Sequence, residues 1–414
     1  MENKIVRFGE LYQIPSSNGL SRPSAVRGIG FKMINMGELF ANNIISDIPM
    51  ERVQMSETEQ KKFFVEHGDL LFARQSLVAE GAGKCSIVKL FNEPTTFESH
   101  LIRVRLNQKI ANPWYYYYLF QLKSNPIKAI INQCAQAGIR GSELVRVKVP
   151  NPPLPTQQKI ASILSAYDNL IQNYKKQIEA LQTAASELYK EWFVRFRFPG
   201  YQNAKFENGI PDGWKYLKLS EFGYEVESGN RPAGGIDNSL EDGIPSLGAE
   251  SIDKLGYFDY SNVKLVPREF YDNMKRGHGK DNDILLYKDG AYIGKVTLFR
   301  NGFPFKKYAV NEHVFLLRSN NKSYQNYLYF TLNMPQYFTQ MQNLNRNAAQ
   351  PGLARGDLDR IKILVPDERA IERFNKFVNP LIDNIFSHSK QITNLTQQRD
   401  LLLPRLMSGK LNVK

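Results

Sequence analysis

The residues of this chain that could do chemistry are spaced for contact with a polyanion rather than for making or breaking bonds. Residues 151–154, NPPL, are similar to the [DNS]PP[YFW] signature with which adenine methyltransferases grip an amino group. Leu154 stands where that signature needs a stacking aromatic, and no GxGxxG-type cofactor loop precedes it. Residues 290–296, GAYIGKV, fall one residue short of P-loop glycine spacing, and Val296 replaces the required Ser or Thr. No GxSxG, HExxH or paired CxxC occurs. His67, His100, His278, His313 and His388 are scattered, and Glu241 with Asp242 reads as surface charge. Cys85 and Cys134 supply neither a disulfide framework nor a metal-ligand set. The chain is expected to be non-catalytic and to bind no metal and no cofactor of its own.

Contact with nucleic acid remains. The net charge is +13 and the pI about 9.4, which favours a polyanionic partner. Basic and amide side chains fall at matching positions of two similar segments: Arg22 with Arg231, Arg74 and Gln75 with Lys288 and Asp289, and Lys84 with Lys295. Loops around Gln136 and Arg140, and around Asn345, Arg346, Gln350 and Arg355, add more. Arg and Gln can pair bidentately with guanine and adenine edges, while Lys mainly neutralises phosphate. Solvated surface charge is the competing reading for each of them.

The elements that must position these side chains form a repeat. At 414 residues, with 42% hydrophobic and 23% charged residues, the chain suggests two or three globular domains. KIVRFGEL (4–11) matches KYLKLSEF (215–222), GDLLFARQS (68–76) matches NDILLYKDG (282–290), and AQAGIRGSELVRVKV (135–149) matches AQPGLARGDLDRIKI (349–363). The segments between differ most, chiefly 24–66 against 233–280, as expected of a framework whose loops carry specificity. In residues 113–121 the dense aromatics read as core.

Between and after the two segments lie two long amphipathic stretches. Ile160, Leu164, Tyr167, Ile171, Tyr174, Ile178, Leu181, Ala185, Leu188 and Trp192 alternate at steps of four and three, an a/d seam. Adding 214 to each number reaches Phe374, Val378, Leu381, Ile385, His388, Ile392, Leu395, Arg399, Leu402 and Leu406, all apolar except His388 and Arg399. The first helix is predicted over 156–194, roughly 58 Å at about 1.5 Å per residue. The second starts after Asp367, and Pro404 is expected to end or kink it. The boundaries that follow are 1–150 for the first domain, 151–198 for the central helix, 199–365 for the second domain, and 366–414 for the C-terminal helix and tail. With the order domain, helix, domain, helix, two seams of equal length bury one another only by running antiparallel. Tyr174 and His388 then meet near the two midpoints. Pairing of each seam in a homodimer is the rival, disfavoured by the effective concentration within one chain. The expected fold is α+β (mixed), with two similar globular domains separated by two long helices in an antiparallel intramolecular coiled coil. Such a two-fold object suits two DNA half-sites in inverted orientation. The opening residues lack a signal-peptide h-region and no apolar run reaches membrane-spanning length, so cytoplasm is the expected location.

This architecture, with PPLPTQQKIASIL entering the first helix and LLPRLMSGKL closing the second, resembles the specificity subunit of type I restriction-modification systems. The YKEWFVRFRFPG stretch is similar to the family's central conserved region, while the second helix begins VPDERAIERF rather than PPLPTQQKI. The resemblance implies two target-recognition domains, each reading one half of a bipartite double-stranded DNA target across a spacer set by coil length. It implies two modification subunits that bind S-adenosylmethionine and methylate adenine, and two restriction subunits that use ATP and Mg to translocate and cut DNA. These cofactors belong to the partner subunits. The outward face of the first helix, at Gln157, Lys159, Lys175, Lys176 and Glu179, is where the modification subunits are expected. Two other classes stay open: a coiled-coil adaptor whose terminal domains bind proteins, and a self-contained nuclease or methyltransferase.

Overall fold

The two amphipathic stretches form helices Leu154–Phe193 and Glu368–Met407 in the computed structural model, which describes residues 4–23, 26–76, 81–89, 91–133, 137–344 and 352–413. Contacts divide the chain into two units, residues 1–170 with 395–414 and residues 171–394. Each unit therefore contains one mixed α/β domain and one stretch of each long helix.

In the first unit a five-stranded sheet has the order Tyr12–Asn18, Leu101–Leu106, Leu70–Ala73, Cys85–Val88, Ile44–Ile45. All pairs are antiparallel except the last. In the second unit Tyr224–Ser228, Val314–Ser319, Ile284–Tyr287 and Val296–Leu298 repeat the first four positions, again antiparallel. The central strand of each sheet is apolar on both faces and wholly or almost wholly buried, the pattern of a strand covered from two sides. A short two-stranded ladder closes each domain: Lys4 pairs with Asn151 in one, Lys215 with Val365 in the other. The segments most diverged in sequence nevertheless share a topology. Arg27–Ile34 lies between Arg52–Val53 (antiparallel) and Thr95–Phe97 (parallel), as Ile244–Leu247 lies between Lys264–Val266 and Ala309–Val310. Apolar alternation can be kept by many sequences, so pairing survives where identity does not.

The aromatic run is core. Pro113–Gln121 is helical, Asn112 caps it by accepting from the Tyr115 N–H at 3.1 Å, and Tyr115 through Tyr118 are all buried.

The long helices pair antiparallel within each unit. In the second, the Tyr174 and His388 rings lie 4.8 Å apart, while Trp192 meets Phe374 and Phe377 at 5.9 Å. In the first, Ile160, Ala161 and Leu164 share a core with Leu403, Leu406 and Met407. The buried face is wider than the a/d seam, because each helix also packs on a domain. Tyr189 stacks on Phe330 at 5.7 Å and shares a 2.9 Å hydrogen bond with Thr331, and Ser389 donates to the Gly256 carbonyl at 2.6 Å. Full burial of an apolar side chain such as Leu164, Phe374 or Val378 contributes about 1.5–3 kcal/mol.

Pro404 neither ends nor interrupts its helix, which continues to Met407. Its ring fixes a helix-compatible φ and removes one backbone hydrogen bond on an exposed face, while Leu403, Leu406 and Met407 beside it are buried. Pro155 likewise sits in the first turn of its helix, where no intrahelical N–H bond is lost. Among the described residues no helix is long and apolar enough to cross a membrane.

Candidate nucleic-acid interface

Two backbone cages, one per unit, hold the side chains singled out at 74–75 and 288–289. In the first unit the strand Leu70–Ala73 delivers Arg74, whose N–H donates to the His100 carbonyl at 2.8 Å and whose carbonyl accepts from Ile139 at 2.9 Å. In the second, Lys288 donates to His313 at 3.0 Å and accepts from Leu353 at 3.0 Å. The short strand Gln75–Ser76 pairs with Ala137–Gly138, and Asp289 bridges Gly352 in the same way. Beyond each cage a short helix begins beside an exposed arginine, Arg140 before Gly141–Leu144 and Arg355 at the head of Arg355–Leu358.

The cages are alike in backbone and unlike in charge. Arg74 is half-buried and Arg140 exposed, and neither makes a side-chain ion pair among the described residues. Gln75 is half-buried beside them. In the second unit Lys288 and Arg231 are internally engaged. Lys288 Nζ donates to the Glu312 carbonyl at 3.1 Å, lies 3.7 Å from Asp289 and sits 5.1 Å above the Phe315 ring. Arg231 pairs with Glu312 at 3.0 Å, and His313 contacts Asp289 at 3.1 Å. On the first side His100 contacts Glu98 at 3.3 Å. Arg355 has no ion pair among the described residues.

Several of the residues expected to contact DNA have partners within the chain. Lys84 folds back, donating to the Phe40 carbonyl at 2.5 Å with its Nζ 5.4 Å above the Phe40 ring, and burial holds its pKa below the ordinary lysine value. Its repeat partner Lys295 pairs with Asp253 at 3.3 Å. Arg22 is tied by a partly buried ion pair to Glu59 in the helix Glu57–Phe63. Gln157 is not on the outward face. It is fully buried, accepting from the Asn112 N–H at 2.8 Å and donating to the Asn151 side chain and the Pro152 carbonyl at 2.8 Å each. A side chain at the first turn of a helix is well placed to satisfy the chain entering it, and here it locks helix to domain. Lys159, Lys176 and Glu179 are exposed and Lys175 is half-buried. Gln136, Asn345, Arg346 and Gln350 lie outside the described residues.

Sequence reasoning missed what holds the cages in place. Arg105 grips Asp69 through Nε and Nη2, both at 2.7 Å, and Asp69 also accepts from the Glu66 N–H at 2.8 Å. Arg318 grips Asp283 at 2.6 and 2.7 Å, and Asp283 accepts from Lys280 at 2.8 Å. Both carboxylates are buried and both pairs join the two central strands of their sheets. The signal was present, since GDLLFAR and NDILLYK share the aspartate while HLIRVRL and HVFLLRS share the arginine. A second miss is an apolar pair on the helices: Ile163 is 38% exposed and Phe377, 214 residues later, 57%.

These geometries make one prediction about DNA binding. Arg140→Ala should lower the slope of log K against log salt by about 1 if Arg140 meets a phosphate, whereas Lys84→Met should leave it unchanged. Salt titration of binding to duplex DNA checks both.

A family model described as the type I restriction modification DNA specificity domain matches this chain twice, over residues 2–183 and 211–397. The MjaIX specificity subunit of Methanocaldococcus jannaschii, a type I restriction enzyme component, is 31% identical over 320 residues, covering 72% of this chain and 69% of that one. The putative MjaX specificity subunit of the same organism is 27% identical over 406 residues, 96% of this chain and 91% of that one. The crystal structure of the type I restriction-modification S subunit from M. genitalium shares the fold, with TM-score 0.60 at 16% identity over 98% of this chain and 96% of that one.

Proposed function

The chain belongs to the type I restriction-modification DNA specificity family, and from that premise we propose that each of its two domains reads one half of a bipartite, asymmetric double-stranded DNA target. The observation that carries this reading is the pair of equivalent backbone cages presenting Arg74, Gln75 and Arg140 in one unit and Lys288, Asp289 and Arg355 in the other. A constant frame with exchanged side chains is how one scaffold can read two different base sequences. The chain supplies recognition and leaves bond making to its partners. S-adenosylmethionine, ATP and Mg belong to two modification and two restriction subunits, in the cytoplasm where the DNA is.

The long helices are the docking surface and the ruler of this assembly. Ile163 and Phe377, exposed at repeat-equivalent positions, suit two identical modification subunits, with Lys159, Lys175, Lys176 and Glu179 along the same helix. Two copies of one partner require two equivalent apolar anchors, and an anchor of this size is the usual centre of an interface.

Methylome sequencing of a host expressing the chain with its modification subunit tests the reading. Replacing residues 1–150 by the corresponding segment of another family member should change one half of the methylated motif and leave the other half and the gap intact. Adding seven residues to both helices preserves the a/d alternation and should change the gap alone. Change in both halves after the first exchange, or an unchanged gap after the second, would overturn it.

A further inference from the structure

The helix pair carries one charged contact inside its seam, and it is found in only one of the two equivalent places. Arg399 Nη1 meets Asp168 Oδ1 at 2.5 Å, and the other oxygen, Oδ2, accepts from the Tyr118 hydroxyl at 2.6 Å. The Asp168 side chain is 7% exposed and that of Arg399 26%, and Arg399 also reaches Asp400 at 2.8 Å. Under the 214-residue repeat, Asp168 corresponds to Ile382 and Arg399 to Ala185. Both of these are fully buried in the core of the second unit. The seam is thus ionic at one end and apolar at the equivalent place of the other.

That asymmetry bears on what the seam can pair with. Because the two helices share their a/d alternation, each could also pair antiparallel with a second copy of itself. A copy of the first helix would place Ala185 opposite Asp168, twice over. A copy of the second would place Ile382 opposite Arg399, also twice. The first arrangement leaves the buried Asp168 with no counter-charge and the second leaves Arg399 with only the exposed Asp400, each less favourable than the paired state. The other seam positions are apolar on both helices apart from His388, so they discriminate less than this charged pair.

We infer that the Asp168–Arg399 pair makes the seam selective for the unlike helix, so that the chain pairs its two halves with each other and rejects a second copy of the same half. The two recognition domains are thereby kept as an unlike pair. A symmetric object carrying one domain twice is disfavoured by the seam itself.

The intact chain can report the mismatch directly. Arg399→Ala sets Asp168 against alanine, as a doubled first helix would, and Asp168→Ile sets Arg399 against isoleucine, as a doubled second helix would. Combining them transplants the apolar pair of the second unit. All are made in a Tyr118→Phe background, so that Asp168→Ile does not leave a buried hydroxyl without its acceptor. Amide hydrogen exchange across residues 161–170 and 395–403 is read with sedimentation as a check on folding. Each single change should raise the opening equilibrium of these segments by about tenfold or more, and the combined variant should recover most of that loss. A single variant that aggregates counts in favour only if the combined variant is recovered folded. Singles without effect, or a combined variant no better protected than the worse single, would overturn the inference.

Discussion

Asp283→Ala should destabilise the second domain by about 3–5 kcal/mol, the range for removing one partner of a buried ion pair. The carboxylate is 1% exposed and accepts three hydrogen bonds, two from Arg318 and one from the Lys280 backbone. Without it Arg318 keeps Glu227 and the His278 carbonyl, so part of the charge remains compensated and the lower end of that range is expected. Asp69→Ala should act alike in the first domain, where Arg105 would keep the more exposed Glu66 and the Phe64 carbonyl. Hydrogen exchange of the strands Val314–Ser319 and Leu101–Leu106 measures each effect in its own domain. A loss below about 1 kcal/mol would mean that the carboxylates are dispensable to the sheet and that packing alone positions the cages.

Arg74→Ala should erase discrimination in one half-site while leaving stability and the other half-site unchanged. A bidentate arginine contact to guanine contributes about 1–3 kcal/mol of discrimination, and Arg74 has no ion pair among the described residues to lose. Lys288→Ala should weaken the other half-site and in addition loosen its domain slightly, because Lys288 is pinned to the Glu312 carbonyl and the Phe315 ring. The methylated motif read by sequencing, set beside the melting temperature of each variant, separates the two effects. Uniform weakening of both half-sites by Arg74→Ala would make it a phosphate contact and remove it from sequence readout.

Much of this organisation is legible in the residues alone. The a/d alternation and its recurrence 214 residues later place Tyr174 beside His388, and their rings lie 4.8 Å apart. Matched framework strings likewise foretell two domains of one fold. Periodicity and repetition report backbone geometry, because a helix face or a strand edge follows from local spacing. Side-chain partners are a different matter. Lys84 and Arg74 look equivalent as basic residues near a turn, yet Lys84 folds back onto Phe40 whereas Arg74 makes no ion pair among the described residues. Gln157, expected on the outward face, falls seven residues before Leu164, in register with the a/d seam, and is fully buried where the end of another helix, at Asn112, comes to meet it.

Arg399 shows where the division falls. Sequence alone marked it as a polar interruption of an apolar seam, and that much followed from the repeat. Only the tertiary structure brought up Asp168, 231 residues away, and the Tyr118 hydroxyl, which turn the interruption into a contact that selects a partner. The physical reason is that the hydrophobic pattern is degenerate and non-directional, so it sets which faces are buried. Charge and hydrogen bonding in a buried place are specific to their neighbours, and those neighbours are known only once the chain has closed on itself.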